Sequence, residues 1–241
     1  MSDNQTQADT RWQRPGAREL AVDGARAAGE MTRMGALLPI LRRAPRGDGH
    51  PVIVLPGLTA SDRSTRPLRW FLRDRGYFVH GWQLGTNMGP DERVLTGLRK
   101  RMADLSDRHG RPISIVGWSL GGIYAREIAR ATPATVRQVI TLGSPFRLAD
   151  GRRGRHGPPP VPATAVYTRT DGVVPWQSCI EYPGQRHESI EVKGSHTGLG
   201  HNPAVLLVIA DRLAQPEGTW SRFTATSGWR RVGGVGPGTG P

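Results

Sequence analysis

A single cysteine, Cys179, stands in a chain of 241 residues, which excludes an intramolecular disulfide framework and any metal cluster built on several thiolates. Lysine is nearly missing too: Lys100 and Lys193 are the only two, so arginine carries almost all the positive charge behind a formal net charge of +13. Those arginines are scattered from Arg11 to Arg231. A dedicated nucleic-acid binder concentrates charge on one face and adds a recognition motif or stacking aromatics, and neither is present, so no specific nucleic-acid partner is expected. The excess of arginine over lysine fits biased codon usage in a GC-rich genome. Weak peripheral attraction to polyanions or acidic membrane surfaces is the expected by-product. No window approaches the ~20 apolar residues of a membrane span. Met1-Ser2-Asp3-Asn4-Gln5-Thr6-Gln7 lacks the basic-then-apolar order of a secretory signal, and the expectation is a cytoplasmic protein. His-Glu-x-x-His is absent, as is Gly-x-Gly-x-x-Gly after a strand, so neither a metal nor an organic cofactor is implied.

Glycine, by contrast, is plentiful at 32 residues, which makes a bare Gly-x-Ser-x-Gly match weak evidence. Context strengthens the one at 117–121. The β-branched run Ile113-Ser114-Ile115-Val116 leads into Gly117-Trp118-Ser119-Leu120-Gly121, and Ile123, Ile128 and Ala129 continue on a helical pattern. A strand that delivers serine to a sharp turn at a helix N-terminus exposes its hydroxyl to a base. It also aims the next N–H, that of Leu120, at the oxygen of a bound carbonyl.

In chain order, residues 1–14 read as a disordered N-terminus and 15–46 as a helical segment. The apolar members of that segment run from Leu20 to Leu41, and Pro39 ends or kinks it. Residues 47–214 read as the catalytic domain. Pro51-Val52-Ile53-Val54-Leu55 is a buried strand that stops at Pro56-Gly57-Leu58-Thr59. Further strands are expected at 77–82, in the run 113–116 that leads into the serine turn, and at 136–142, 163–168 and 188–192, with helices over 66–75, 90–109 and 203–213 and one starting directly behind the serine turn. Phe146 to Pro162 shows no periodicity and reads as a loop or small flap, too short for a cap domain. Residues 215–241 read as a Gly/Pro-rich tail with too little to bury, anchored at most through Trp220, Phe223 and Trp229.

Strands alternating with helices predict an α/β fold with a doubly wound, mostly parallel sheet, in which every loop at a strand's carboxyl end faces one crevice. Three such loops carry Ser119, Asp171 and His196, in the order Ser…Asp…His. Serine needs a base to become nucleophilic. His196 can take its proton and return it to the leaving group, while Asp171 fixes the imidazole tautomer. Asp150 and Glu181 compete for the acid role and His201 for the base, but none sits as cleanly at a strand end.

The stretches Val52–Leu58, Val116–Gly122, Thr170–Pro175 and Gly194–Leu199 resemble compact bacterial α/β-hydrolases of the lipase/esterase type. The likeness spans about residues 50–214. It implies an α/β-hydrolase fold without a large cap domain, with nucleophile, acid and base at Ser119, Asp171 and His196. The oxyanion donors fall on the backbone N–H groups of Leu58 and Leu120. One departure is visible: Pro56-Gly57 stands where many members have His-Gly. The implied substrate is a small-molecule or lipid ester, cleaved through an acyl-serine intermediate. Acyl transfer and thioester hydrolysis need the same residues and stay open. So does a non-catalytic basic protein that binds polyanions or membrane surfaces.

Overall fold

A computed structural model describes residues 15–152, 157–225 and 229–237; residues 1–14, expected to be a disordered N-terminus, lie outside them. The seven strands are β1 (Pro51–Leu55), β2 (Phe78–Gly81), β3 (Ile113–Trp118), β4 (Val136–Leu142), β5 (Ala163–Tyr167), β6 (His187–Val192) and β7 (Gly234–Pro237). They form one sheet in the order β2-β1-β3-β4-β5-β6-β7. Every pairing is parallel except β6 with β7. Its helices are α1 (Ala17–Ala36), α2 (Leu38–Leu41), α3 (Arg66–Asp74), α4 (Glu92–His109), α5 (Leu120–Ala131), α6 (Phe146–Arg152) and α7 (Pro203–Leu213).

The near-continuous apolar strands are buried on both faces, as a parallel sheet requires. Val52 and Val54 of β1 point into one layer, with Leu68 and Phe71 of α3 and Val205, Val208 and Ile209 of α7. Ile53 and Leu55 alternate to the other layer, against Leu98, Met102 and Leu105 of α4 and Tyr124, Ala125 and Ile128 of α5. α4 is delimited as its sequence suggests. The Asp91 side chain accepts from Arg93 N at 2.8 Å at the start, and Gly110 ends it in the left-handed region at φ 59°.

Three expectations need correction. The N-terminal helix breaks at Leu37, before Pro39 rather than at it, because Pro39 is accommodated in the first turn of the short α2. The supposed flap begins as helix α6. Its apolar anchor Phe146 is buried under the Arg126 guanidinium, which lies 3.8 Å from the ring centroid, a contact no periodicity announces. Residues 153–156 of that stretch lie outside the described ones. Third, the tail contains a strand. β7 pairs Gly234 with Val192, and Lys193 N donates to Gly233 O at 2.9 Å, while Trp229 packs edge-on against Phe223. Backbone pairing and two aromatics suffice where the composition looked too poor to fold. No described helix is long and apolar enough to cross a membrane.

Candidate active site

Ser119 joins β3 to α5 with φ 52° and ψ −120°, a region that a non-glycine residue enters only when its surroundings force it. Ser119 N donates to Leu142 O of β4 at 2.8 Å, and Ser119 O accepts from Gly122 N at 3.0 Å. The flanking glycines let the turn close. A Cβ on Gly117 would lie 2.4 Å from Gly122 Cα, and one on Gly121 would lie 2.4 Å from Leu55 O. Strand and helix therefore approach through the two positions that the motif reserves for glycine.

Asp171 follows β5 and His196 follows β6, and the structure brings them together: His196 Nδ1 lies 2.7 Å from Asp171 Oδ2. Both side chains are buried. Asp171 Oδ1 accepts from Val173 N at 2.9 Å and Val174 N at 2.8 Å, which orients the carboxylate toward the imidazole. Trp118, the residue before the serine, donates its indole N–H to His196 O at 3.0 Å. Ser119 and His196 line one cavity of about 760 Å³ without a hydrogen bond between them. Such contacts are often long before substrate binds. The remaining wall is largely apolar, with Leu58, Leu120, Ile123, Val173 and Val174 prominent; Ala149 of α6 also contributes. Among the described residues, no Asp, Glu, Lys or Arg lines it.

Leu120 is the first residue of α5, so its N–H has no acceptor within the helix. The loop after β1 runs against the serine closely enough that a Cβ on Gly57 would lie 3.2 Å from Ser119 Cβ. Its Thr59 N–H is taken by Asn87 O at 2.7 Å, and Leu58 lines the same cavity as the serine. Asn87, which the sequence did not flag, holds this loop. It is fully buried, donates from Nδ2 to Pro56 O at 3.0 Å and from its backbone to Ala60 O at 2.8 Å. Tyr124 of α5 donates to Gly89 O at 2.7 Å and so tethers the segment that carries Asn87. A lone asparagine in a polar loop gives no pattern to find.

The competing residues are engaged elsewhere. Asp150 pairs with Arg130 at 3.0 Å and 3.1 Å, Glu181 pairs with the buried Arg126, and His201 Nε2 donates to Ala27 O at 2.9 Å. Cys179 is buried, and burial pushes its thiol well above the usual range, so it is a packed group. Among the described residues, no three His, Cys, Asp or Glu side chains are grouped to hold a metal ion.

A second Asp–His–Ser set lies at the opposite, amino end of the strands. His50 Nδ1 is 2.5 Å from Asp48 Oδ1, and His50 Nε2 is 2.8 Å from Ser114 Oγ. His50 and Ser114 have no exposed surface, and no substrate can reach them. This set is structural. Partial burial would raise the Asp48 carboxyl, but bonds from His50, Arg137 and Arg111 outweigh it and hold the group well below the usual range. Burial lowers His50 from 6.5 to about 4 even beside that carboxylate. Burial, aided by the neighbouring His109 and Arg101, lowers His80 to about 4 as well. Both histidines are therefore neutral in the fold, and the unfolded chain binds more protons between those two values. Stability is fully present above 6.5 and lost as pH falls toward 4. The melting temperature is expected to start falling near pH 6.5, well above the range where carboxylates titrate. A flat profile down to the carboxylate range would refute the neutral assignment.

The sheet order, the elbow after β3 and the loops after β5 and β6 together define an α/β-hydrolase fold. Aspergillus fumigatus lipase B superposes with a TM-score of 0.59 at 16% identity, over 70% of this chain and 53% of its own. The chain thus spans about half the length of that lipase. Bacillus licheniformis lipase BlEst2 superposes at 0.57 with 14% identity, over 72% of this chain and 95% of its own. A structure of the metagenome-derived lipolytic enzymes LipS and LipT gives 0.55 at 18% identity, over 70% and 93% of the two chains. At these identities the likeness is one of fold. No protein-family model matches the sequence, and no curated protein matches it either.

Proposed function

We propose that the chain is a serine hydrolase of carboxylic esters with neutral, apolar acyl groups. The observation that carries the reading is Ser119, held at a strained turn in the mouth of an apolar cavity that it shares with the Asp171-paired His196. The solved structures of similar fold, several of them described as lipases or lipolytic enzymes, support the same class. Ser119 Oγ attacks the ester carbonyl carbon while His196 Nε2 takes the hydroxyl proton. The carbonyl oxygen becomes an oxyanion facing the N–H groups of Leu58 and Leu120. Collapse of this tetrahedral species breaks the bond to the alkoxy oxygen, which leaves as the alcohol with the proton from His196. Water, deprotonated by the same nitrogen, then attacks the acyl carbon; the bond to Ser119 Oγ breaks, Oγ takes the proton back from His196, and the acid is released. Asp171 keeps the second imidazole proton on Nδ1, so that Nε2 is free to accept.

A fluorophosphonate probe tests the reading directly. Fragmentation of the labelled peptide in the mass spectrometer is expected to place one adduct on Ser119 and none on Ser114. A panel of p-nitrophenyl esters should show kcat/KM rising with acyl length until the cavity is filled, with charged acyl groups disfavoured. Folded protein that neither labels nor turns over any ester would refute the proposal.

A further inference from the structure

Helix α1 reaches the carboxyl edge of the sheet with a buried face that is polar there. Asp23 is fully buried, and its two oxygens accept from three backbone N–H groups. Oδ1 takes Gly172 N at 3.1 Å and His196 N at 2.7 Å, and Oδ2 takes Thr197 N at 2.9 Å. Gly172 directly follows the proposed acid, and His196 is the proposed base, so a single carboxylate bridges both loops. Two helical turns later Glu30 accepts from Ser195 N at 2.7 Å and Asn202 Nδ2 at 3.1 Å. The fit is close: a Cβ on Gly172 would lie 2.3 Å from Glu19 O of the helix. Burial would raise the Asp23 carboxyl, but the bonds from Thr197, His196 and Gly172 outweigh it and hold it below the usual range. It is an anion at neutral pH.

We propose that Asp23 is the positioning residue of this site, fixing the Asp171 loop and the His196 loop in one register by accepting N–H groups from both. Its geometry stands alone; its catalytic consequence rests on the serine-hydrolase reading above. Without Asp23 the two loops lose the carboxylate that accepts from both and keep the Thr168 and Thr170 bonds to Gly194 O, the Ser195 N bond to Glu30 and the Trp118 bond to His196 O. A displacement of about 1 Å between base and nucleophile costs on the order of 100-fold in rate. Asp23→Asn keeps the size but turns an N–H donor toward at least one of the three backbone donors.

The test combines kinetics with the low-field Nδ1 proton resonance of His196, assigned by its loss in His196→Ala. Asp23→Asn is expected to lower kcat about 100-fold with KM little changed, and to shift or broaden the resonance. Met34→Ala opens a void under the far end of the same helix without removing a bond to either loop. It should lower the melting temperature while leaving kcat and the resonance in place. If Asp23→Asn does not fold, Asp23→Ser, which leaves space rather than a misplaced donor, is measured instead. Unchanged kcat and resonance in the Asp23 variant overturn the proposal, as does an equal loss of both in Met34→Ala. A wild type that hydrolyses no ester, but whose resonance shifts in Asp23→Asn, overturns the esterase reading and keeps Asp23 in its role. A wild type lacking both turnover and resonance overturns the pairing beneath both.

Discussion

Ser119→Ala is expected to lower ester turnover by about 10⁴-fold or more while leaving the melting temperature nearly unchanged. The hydroxyl makes no hydrogen bond among the described residues that its loss could break, and alanine keeps the Cβ that the turn already accommodates. His196→Ala should cost about as much, and the double variant little more, because base and nucleophile act as one unit. The residual rate reports what the Leu58 and Leu120 N–H groups and the apolar cavity contribute alone. Steady-state turnover of one soluble ester by the three variants checks this. Ordinary turnover in Ser119→Ala would remove Ser119 from the reaction, and strict additivity of the two losses would show that base and nucleophile do not act as one unit.

The second large effect separates two buried carboxylates. In Asp171→Asn the amide oxygen can keep the Val173 and Val174 N–H groups, and the amide nitrogen then faces His196 Nδ1. The imidazole must accept there, so its proton moves to Nε2, the atom that has to receive the serine proton. A loss in kcat of about 10⁴-fold follows from the wrong tautomer. Asp150→Asn has the converse signature. It breaks the pairing with Arg130, at a cost of about 3 kcal/mol of stability, yet the folded fraction should keep its kcat. Unfolding curves and kinetics on both variants decide the matter, and a reversal of the two patterns would move the acid to the α6 segment.

The parts of the site that the sequence disclosed are those where geometry forces a residue type. Gly117 and Gly121 are fixed by contact with a neighbouring backbone, so their spacing around Ser119 survives as a readable motif. Asp171 and His196 were legible because a parallel sheet sends its strand ends to one edge. Asp23 and Glu30 were not: acids seven apart on a helix read as its solvated face, and what they bind is backbone N–H, which leaves no trace in residue identity. Asn87 was hidden for the same reason. In β7 the informative partner is again backbone, and in α6 it is the Arg126 guanidinium over Phe146. The Asp48–His50–Ser114 set adds a caution about geometry itself. Its two hydrogen bonds are complete, yet His50 and Ser114 have no exposed surface.

The contacts of α1 also have a consequence for synthesis. Asp23 is separated from the loops that donate to it by 149 to 174 residues, and Glu30 from its partners by 165 and 172. At roughly 5–20 residues per second on the ribosome, the helix is made roughly 7–35 s before the loops it will hold. A helix of 20 residues carrying two unpartnered acids on its inner face gains little by docking early. The elbow, whose strand, turn and helix lie within residues 113–131, is complete long before then. The nascent chain therefore makes the Ser119 turn first and the His196 loop last. A polypeptide halted before His196 carries the serine turn without the imidazole that shares its cavity.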